Sequence, residues 1–240
     1  MYVSPKAYCH SFKDWEGQPV NVIEQMDVEE YLNMFLDRLE SAIKGTPQEK
    51  TINYHFGGEL ANEIVGKTCP HKYERKEPML SIGVTVKNKK SVHEGMQAFI
   101  LGDMLEADNQ YHCEKCDKKV DALKRVCIKK LPRYLIMTLK RFEFDFDTMQ
   151  RQKVNDYFEF PVDLDLSNYT QEYLSKKEAY DKSKAEKLAK AEGGSEEEIL
   201  ADLKQEELKF QKEYYQYELV GATIHTGTAD SGHYYSYIRE

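Results

Sequence analysis

The sequence has no hydrophobic run long enough to cross a membrane. Its longest clear apolar stretch is "YLIMTL", from Tyr134 to Leu139, whereas a membrane helix needs about 20 apolar residues. The first residues, "MYVSPKAYCHSF", also lack the apolar segment of a secretory signal. Basic residues are too few to balance the acidic ones, 34 against 42, and the net charge of −8 argues against a nucleic-acid partner. We therefore expect an intracellular protein, cytoplasmic or nuclear, with no nucleic acid and no membrane among its partners.

Cysteine is also scarce. Five cysteines in a long chain suit a reducing compartment, in which close cysteine pairs hold metal more often than they form disulfides. Cys113 and Cys116 have two residues between them, the spacing that presents two thiolates to one zinc ion, and a site closed by four such ligands is structural. Cys69 and His71 supply a second pair, although one intervening residue is tighter than usual and His112 is an alternative ligand. The other reading is that Cys113 and Cys116 are free thiols.

The apolar pattern predicts an α+β domain with a charged insertion. Apolar residues recur at three- and four-residue intervals over residues 28–43, as in an amphipathic helix. The segments "INYHFGGEL" and "MLSIGVTV" are predicted as strands separated by a polar turn region, and a capping box at Ser91 and Glu94 starts a short helix. Residues 171–213 are rich in Lys, Glu and Ala, and we interpret them as a solvated helical insertion. A helix followed by many strands is typical of the α+β class.

Two acidic residues begin the first predicted helix. Asp27 and Glu30 are three residues apart, so they share one side of the first turn. Acidic residues at this end of a helix interact favourably with its dipole. They are also suited to accept hydrogen bonds from arginines of a partner. The spacing alone leaves both interpretations open.

The stretch "DSGHYYSYIRE" contains a candidate general base, His233. Histidine can act as a base near neutral pH when another group orients its ring. Gly232 beside it would let a substrate backbone approach closely. On its own, such a stretch more commonly contains an ordinary surface or core histidine, so the other motifs of the sequence must decide.

Five stretches, taken in order, resemble the ubiquitin-specific protease family of deubiquitinating enzymes. They are "SFKDWEGQPVNVIEQMDVEEYL", the paired metal ligands, "IKKLPRYLIMTLKRFEFD", "NDYFEFPVDLDL" and "YELVGATIHTGTADSGHYYSYIR". The resemblance covers nearly the whole chain outside the insertion. It implies a papain-like cysteine protease with thumb, palm and zinc-bearing fingers, which acts on ubiquitin and ubiquitinated proteins by hydrolysis after the C-terminal glycine of ubiquitin. It places the end of the thumb in residues 1–50 and the fingers, with their zinc ribbon, in residues 51–130. It places the palm in residues 131–170 and 214–240, and the insertion in residues 171–213.

The same resemblance assigns roles to individual residues. His233 matches the catalytic histidine, which generates the nucleophilic thiolate and later protonates the leaving amine. Asp27 and Glu30 belong to a Gln-x-Asp-x-x-Glu helix that is similar to the one binding the arginine-containing tail of ubiquitin. The implied substrate-binding set is Gln25, Asp27, Glu30, His225 and Gly232. The implied ligands of a structural zinc ion are Cys69, His71, Cys113 and Cys116, in a Cys-Pro-His form instead of the more usual double Cys-x-x-Cys.

Two parts of the family's catalytic site have no match. No segment reads like the Gly-Asn-Thr-Cys-Tyr box of the nucleophile, and the residue that orients the histidine follows a stretch like "GHYYSYIR", after which the chain ends. Cys9 is a poor substitute because "AYCHSF" lacks the features that lower a thiol pKa, and Cys127 is expected in the core. We therefore expect the chain to be an internal and incomplete part of a larger catalytic domain. We also expect that the chain by itself does not hydrolyse ubiquitin conjugates. A ubiquitin-binding scaffold that has lost its nucleophile is the alternative.

Overall fold

The computed structural model describes residues 4–21, 26–190, 208–229 and 231–239. The chain divides into two compact units, each assembled from separate stretches of sequence. The first unit contains residues 1–55, 141–155 and 220–240, and the second contains residues 56–140 and 156–219. Within the described ranges, none of the helices combines the length and the apolar character that a bilayer crossing requires.

Helices and mainly antiparallel strands are mixed along the chain, as the α+β prediction requires. The helices are α1 (Lys6–Ser11), α2 (Val28–Ile43), α3 (Thr51–Phe56), α4 (Val92–Leu101) and α5 (Gln171–Lys190). The strands are β1 (Gly58–Gly66), β2 (Lys72–Met79), β3 (Ile82–Thr85), β4 (Asp103–Leu105), β5 (Tyr111–Cys113), β6 (Lys118–Val120), β7 (Ala122–Lys130), β8 (Met137–Lys140), β9 (Phe142–Asp145), β10 (Gln150–Lys153), β11 (Asp163–Asp165), β12 (Gln216–Glu218), β13 (Gly221–Gly227) and β14 (Gly232–Ile238).

The first unit contains helix α2 and two antiparallel hairpins, β9 with β10 and β13 with β14. Asp27 is the N-cap of α2, and its Oδ1 accepts hydrogen bonds from the backbone N–H groups of Glu29 at 2.7 Å and Glu30 at 3.4 Å. Such a cap stabilises a helix by about 1 kcal/mol. Met34 and Leu36 are the buried side chains of this helix. The predicted helix over residues 28–43 is confirmed.

The second unit is built around an antiparallel sheet in the order β2-β1-β7-β4, with β3 and β8 forming a separate parallel pair. Helix α4 packs on β3 at Gly95, where an added Cβ would lie 2.4 Å from Val84 Cγ1. The Ser91 half of the predicted capping box is present, since Ser91 Oγ accepts from the N–H of Glu94 at 3.3 Å, whereas the Glu94 carboxylate accepts from the N–H of Lys90 at 2.9 Å. The core side chains of this unit with the least exposure are Ala61, Ile82, Val84, Val86, Met96, Val120, Ala122, Cys127, Ile128 and Leu166.

The segment "INYHFGGEL" is not one strand, and the prediction was wrong for its first half. Residues Thr51–Phe56 form helix α3, and β1 begins only at Gly58. There an added Cβ would lie 2.4 Å from Met79 Cε and 2.9 Å from the Lys130 carbonyl oxygen, so glycine permits the close strand contact. The polar turn region after it is also shorter than expected, because the charged residues of β2 pair with β1 along an edge of the sheet.

Helix α5 is only partly solvated, which corrects the interpretation of residues 171–213 as a solvated insertion. Its first two turns are half-buried against the second unit's sheet. Gln171 Nε2 donates to Glu63 Oε1 at 2.5 Å, and Arg125 donates through Nη1 and Nη2 to the two carboxylate oxygens of Glu178 at 2.9 and 3.2 Å. Residues 181–186 are mostly exposed, as predicted. Residues 191–207 of the predicted insertion lie outside the described ranges.

Candidate active site and metal centre

The predicted catalytic histidine lies on the hairpin of β13 and β14. The register pairs Thr226 with His233 and His225 with Tyr234. Because directly opposed residues share a face and successive residues alternate, His233 and His225 lie on opposite faces of the hairpin. The side chain of His233 is exposed, and its carbonyl oxygen accepts a hydrogen bond from Thr226 Oγ1 at 3.4 Å. The hairpin therefore presents an accessible imidazole on one face and a more enclosed one on the other.

His225 lies among aromatic rings. Its ring centroid is 4.6 Å from that of Tyr234 and 5.2 Å from that of Phe142, the latter edge-on. Burial and the nearby Lys153 ammonium lower the pKa of His225, and the Asp27 carboxylate opposes this only in part. The imidazole is therefore neutral at pH 7. Its Nδ1 is buried and has no hydrogen-bond partner among the described residues.

The absence of a side chain at Gly232 has a cause within the hairpin. An added Cβ would lie 2.0 Å from the Thr226 carbonyl oxygen and 2.4 Å from Nε2 of His225. Gly232 was predicted to leave room for a substrate tail, but the His225 imidazole and the Thr226 carbonyl occupy the position that a Cβ would take. Gly232 therefore lets His225 fold over the start of β14, whatever else lies beside it.

The capping end of α2 lies close to the enclosed face of this hairpin. The Asp27 carboxylate is near enough to act on the pKa of both His225 and Tyr234. Burial, followed by this negative charge, raises the pKa of Tyr234, while a backbone hydrogen bond from Val28 opposes the increase. Glu30 is exposed one turn further along α2. Gln25 lies outside the described residues. From the predicted set, the structure brings Asp27 and Gly232 close to His225.

Three residues beside these side chains were not singled out from the sequence. Tyr234 and Phe142 pack on the His225 ring, and Lys153 Nζ donates to the His225 carbonyl oxygen at 3.0 Å. Strand alternation places Tyr234 on the face opposite His233, so the sequence motif itself could have indicated that Tyr234 lies beside His225. Phe142 and Lys153 come from another hairpin and carry no comparable local signal.

The four predicted metal ligands converge at the end of the second unit's sheet. One ligand atom from each of Cys69, His71, Cys113 and Cys116 lies within 4.8 Å of every other. The sulfurs of Cys69 and Cys113 are 4.0 Å apart, and His71 Nδ1 is 3.5 Å from Cys113 Sγ and 3.1 Å from Cys116 Sγ. A tetrahedron with zinc-to-ligand distances of about 2.0–2.3 Å has edges of roughly 3.5–3.8 Å, so this spacing fits one metal ion.

Local backbone geometry brings the two ligand pairs together. An added Cβ at Gly66 would lie 2.6 Å from both the carbonyl oxygen and the sulfur of Cys69, so only glycine allows the Cys-Pro-His turn to fold back onto β1. The second pair lies on the β5–β6 turn, where the N–H of Cys116 donates to the Cys113 carbonyl oxygen at 3.1 Å. His112, the alternative ligand, is not in the cluster. Its Nε2 is 3.6 Å from an Asp117 carboxylate oxygen instead.

The thiols of the cluster compete for negative charge. Burial raises the pKa of Cys113, but hydrogen bonds from the Cys116 backbone and from His71 outweigh burial and bring the pKa to about 7. Burial and the neighbouring sulfurs of Cys113 and Cys69 raise the pKa of Cys116 to about 11. Three thiolates this close repel one another unless a cation lies among them. The cluster can therefore hold a metal ion, and its sulfur and nitrogen donors are those that zinc prefers.

The two remaining cysteines have no features of an activated nucleophile. Cys127 is fully buried, and burial together with the nearby Glu63 carboxylate raises its pKa to about 12. Cys9 lies in the middle of the six-residue helix α1 and outside the metal cluster. The core position expected for Cys127 is confirmed.

Comparison with known proteins identifies the family. The model of the ubiquitin carboxyl-terminal hydrolase family matches residues 1–240. The chain belongs to this family. It is 38% identical over 238 residues to ubiquitin carboxyl-terminal hydrolase 9Y of Homo sapiens and to the probable ubiquitin carboxyl-terminal hydrolase FAF of Drosophila melanogaster, and 35% identical to ubiquitin carboxyl-terminal hydrolase 34 of Homo sapiens. Each alignment covers 99% of this chain but only 9%, 8% and 6% of the relative.

Solved structures of the family share the fold. The SAGA Ubp8/Sgf11/Sus1/Sgf73 DUB module bound to ubiquitin aldehyde matches with a TM-score of 0.66 and 24% identity, over 90% of this chain and 42% of that chain. The same module bound to monoubiquitin matches with a TM-score of 0.66 and 25% identity, over 90% and 41%. The chain thus has the fold of a ubiquitin-specific protease catalytic domain. The resemblance and the fold class predicted from the sequence are confirmed.

Proposed function

We propose that this chain carries the histidine of a cysteine-type deubiquitinase, which removes ubiquitin from proteins by thiol-dependent hydrolysis after its C-terminal glycine. The observation that carries the proposal is the approach of the Asp27 end of α2 to the His225 face of the hairpin that bears His233. Family membership over the whole chain supports it. The ubiquitin-bound state of the matching modules supports ubiquitin as the partner.

In this proposal His233 is the general base. Its exposed imidazole would take the proton from the attacking thiol and return it to the leaving amine. None of the five cysteines is a fitting nucleophile, because three share the metal cluster, Cys127 is buried and Cys9 is not activated. We therefore propose that the thiol belongs to a part of the protein outside these 240 residues, and that the 240 residues alone are inactive.

The acidic end of α2 would bind the basic tail of ubiquitin. Both cap hydrogen bonds of Asp27 go to Oδ1, which leaves Oδ2 as an acceptor for an arginine. Glu30 and Gln25 would extend this acidic surface along α2. The neutral His225 ring beside Gly232 would form one wall of the tail site. Because it carries no positive charge, it would not repel the basic tail of ubiquitin. The thumb, fingers and palm boundaries given above stay predictions, as does an intracellular location.

The metal cluster would have a structural role. Cys69, His71, Cys113 and Cys116 would hold zinc with all four positions filled by protein, and zinc bound in this way supplies folding free energy rather than chemistry. Its contribution would be to fix the β5–β6 turn against the Cys-Pro-His turn.

Calorimetry with ubiquitin tests the substrate part of the proposal. The purified chain should bind ubiquitin, and it should bind ubiquitin without its arginine-containing tail at least about tenfold more weakly. Asp27→Asn should weaken binding of intact ubiquitin and leave binding of the truncated form unchanged, whereas Asp37→Asn, an exposed change on the same helix, serves as control. Equal affinity of the wild-type chain for both forms of ubiquitin would remove the proposed tail site.

A thiol-reactive ubiquitin probe separates the enzyme from the inactive scaffold. In the full-length protein, the enzyme proposal predicts labelling of one cysteine outside the 240 residues and loss of turnover in His233→Ala. The scaffold, in contrast, binds ubiquitin and stays unlabelled. Hydrolysis of a ubiquitin amide by the 240-residue chain alone would contradict the proposed absence of the nucleophile.

A further inference from the structure

Lys153 connects one hairpin of the first unit to the turn before His233. It is the last residue of β10, and its side chain is partly buried. Its Nζ donates to the carbonyl oxygens of His225 at 3.0 Å and Gly227 at 3.2 Å. Hydrogen bonds from an ammonium group are stronger than neutral ones. Lys153 therefore holds the last residues of β13 at two points.

The turn that follows has a conformation that needs such support. Gly227 has a φ of +116°, and an added Cβ there would lie 2.4 Å from the Ser231 carbonyl oxygen and 2.6 Å from Gly232 Cα. The N–H of Thr228 donates to the Ser231 carbonyl oxygen at 2.8 Å, and this bond closes the turn. Glycine allows this conformation but also loses the most backbone freedom on adopting it. Additional contacts must therefore keep Gly227 in place.

The position of Gly227 determines the position of His233. Gly227 pairs with Gly232 as the last pair of the β13–β14 ladder, and His233 is the next residue. Thr226, between the two carbonyls held by Lys153, is opposite His233 and donates to its carbonyl oxygen. A shift of the β13 end therefore moves the backbone of His233 directly.

We propose that Lys153 is a positioning residue for the catalytic base: its ammonium holds the His225 and Gly227 carbonyls and thereby fixes the turn that aims the His233 imidazole. This inference rests on the proposed function only in naming His233 the base. The connection itself belongs to the chain whether or not the protein is active. Lys153 acts through the backbone and takes no part in proton transfer.

NMR of the full 240-residue chain tests the connection without any need for activity. Lys153→Met should shift the imidazole resonances of His233 and speed hydrogen exchange at the Thr228 amide by about tenfold or more, because the turn opens locally. Exchange in α2 should stay unchanged. Lys153→Arg should restore both signals, since a guanidinium can donate to two carbonyls. Arg151→Met removes a positive charge from the same strand and is the matched control.

Kinetics of the full-length protein provide the second readout. Lys153→Met should lower kcat about tenfold or more and leave KM for a ubiquitin substrate nearly unchanged, because a misplaced base affects the reaction more than binding. An unshifted His233 signal in Lys153→Met, no restoration by Lys153→Arg, or a uniform loss of exchange protection would each overturn the proposal. If the wild-type protein shows no turnover while the NMR effects appear, the proposed function fails and the positioning contact stands.

Discussion

Replacement of Glu63 should destabilise the second unit more than any single surface change. The Glu63 carboxylate is fully buried and receives hydrogen bonds from Arg125 Nε at 2.9 Å and Gln171 at 2.5 Å, and it also pairs with Lys72. In Glu63→Gln the charges of Arg125 and Lys72 lose their buried counterion. Loss of one partner of a buried ion pair costs about 3–5 kcal/mol, and we expect the lower end because Arg125 keeps its contacts to Glu178.

Thermal and denaturant unfolding, followed by circular dichroism, measure this effect. A loss of about 3 kcal/mol corresponds to a decrease of roughly 6–12 °C in Tm for a protein of this size. Glu178→Gln is the control. Its carboxylate is 35% exposed and Arg125 keeps Glu63, so the loss should be about 1 kcal/mol. If Glu178→Gln destabilises the chain as much as Glu63→Gln does, the assignment of Glu63 as the central counterion is wrong.

The dependence of the free energy of unfolding on pH, measured at acidic pH, provides a second test of Glu63. Burial alone would raise the pKa of Glu63, but hydrogen bonds from Lys72, Gln171 and Arg125 outweigh it and lower the pKa below the ordinary value of 4.5. The carboxylate therefore contributes its full stability above about pH 4.5, and this contribution is lost as the pH falls through the lowered value. Glu63→Gln should unfold with a weaker pH dependence below pH 4.5. An unchanged pH dependence would contradict this role.

Three further predictions follow from close contacts and buried thiols. Gly232→Ala should abolish exchange protection in the β13–β14 hairpin because its Cβ would lie 2.0 Å from a carbonyl oxygen, whereas Gly221→Ala, with its nearest contact at 3.4 Å, should retain protection. Cys113→Ser should lower the bound zinc measured by metal analysis from one equivalent to less than half, and His112→Ala should leave it unchanged. Cys127 should resist iodoacetamide at pH 8 in the native chain and react after unfolding, as mass spectrometry can show, since burial raises its pKa to about 12. Zinc retained in Cys113→Ser, a folded hairpin in Gly232→Ala, or native alkylation of Cys127 would each contradict the corresponding contact.

The features that the sequence predicted best are those determined by local chemistry. The apolar stripe defines helix α2, and the Ser91 cap defines the start of α4. The metal cluster was predicted because each ligand pair is close in sequence, and thiolates and imidazoles favour the same ions. In contrast, only the fold distinguishes His71 from His112 as the fourth ligand, because each lies within two residues of a cysteine in the sequence.

The features that the sequence did not predict depend on contacts between distant residues. Helix α3 has the composition of a strand, and its helical state depends on packing around Ile52 and on the break before Gly58. The burial of Glu63 could not be inferred because two of its partners, Arg125 and Gln171, are far away in the sequence. The position of Lys153 next to the His225 carbonyl has the same cause, as two separate hairpins must meet to produce it.

The attachment of α5 at its beginning has a consequence for how this protein can vary in length. Glu178, at the end of the first two turns of this helix, pairs with Arg125 of β7 and with Lys67, and residues 181–186 are mostly exposed. Residues added or removed beyond those turns would leave the carboxylate of Glu178 and the sheet charges in place. The far end of the helix is accordingly a suitable site for grafting a reporter or an affinity tag without loss of the second unit's sheet, and the first two turns are the part that an engineered variant must keep.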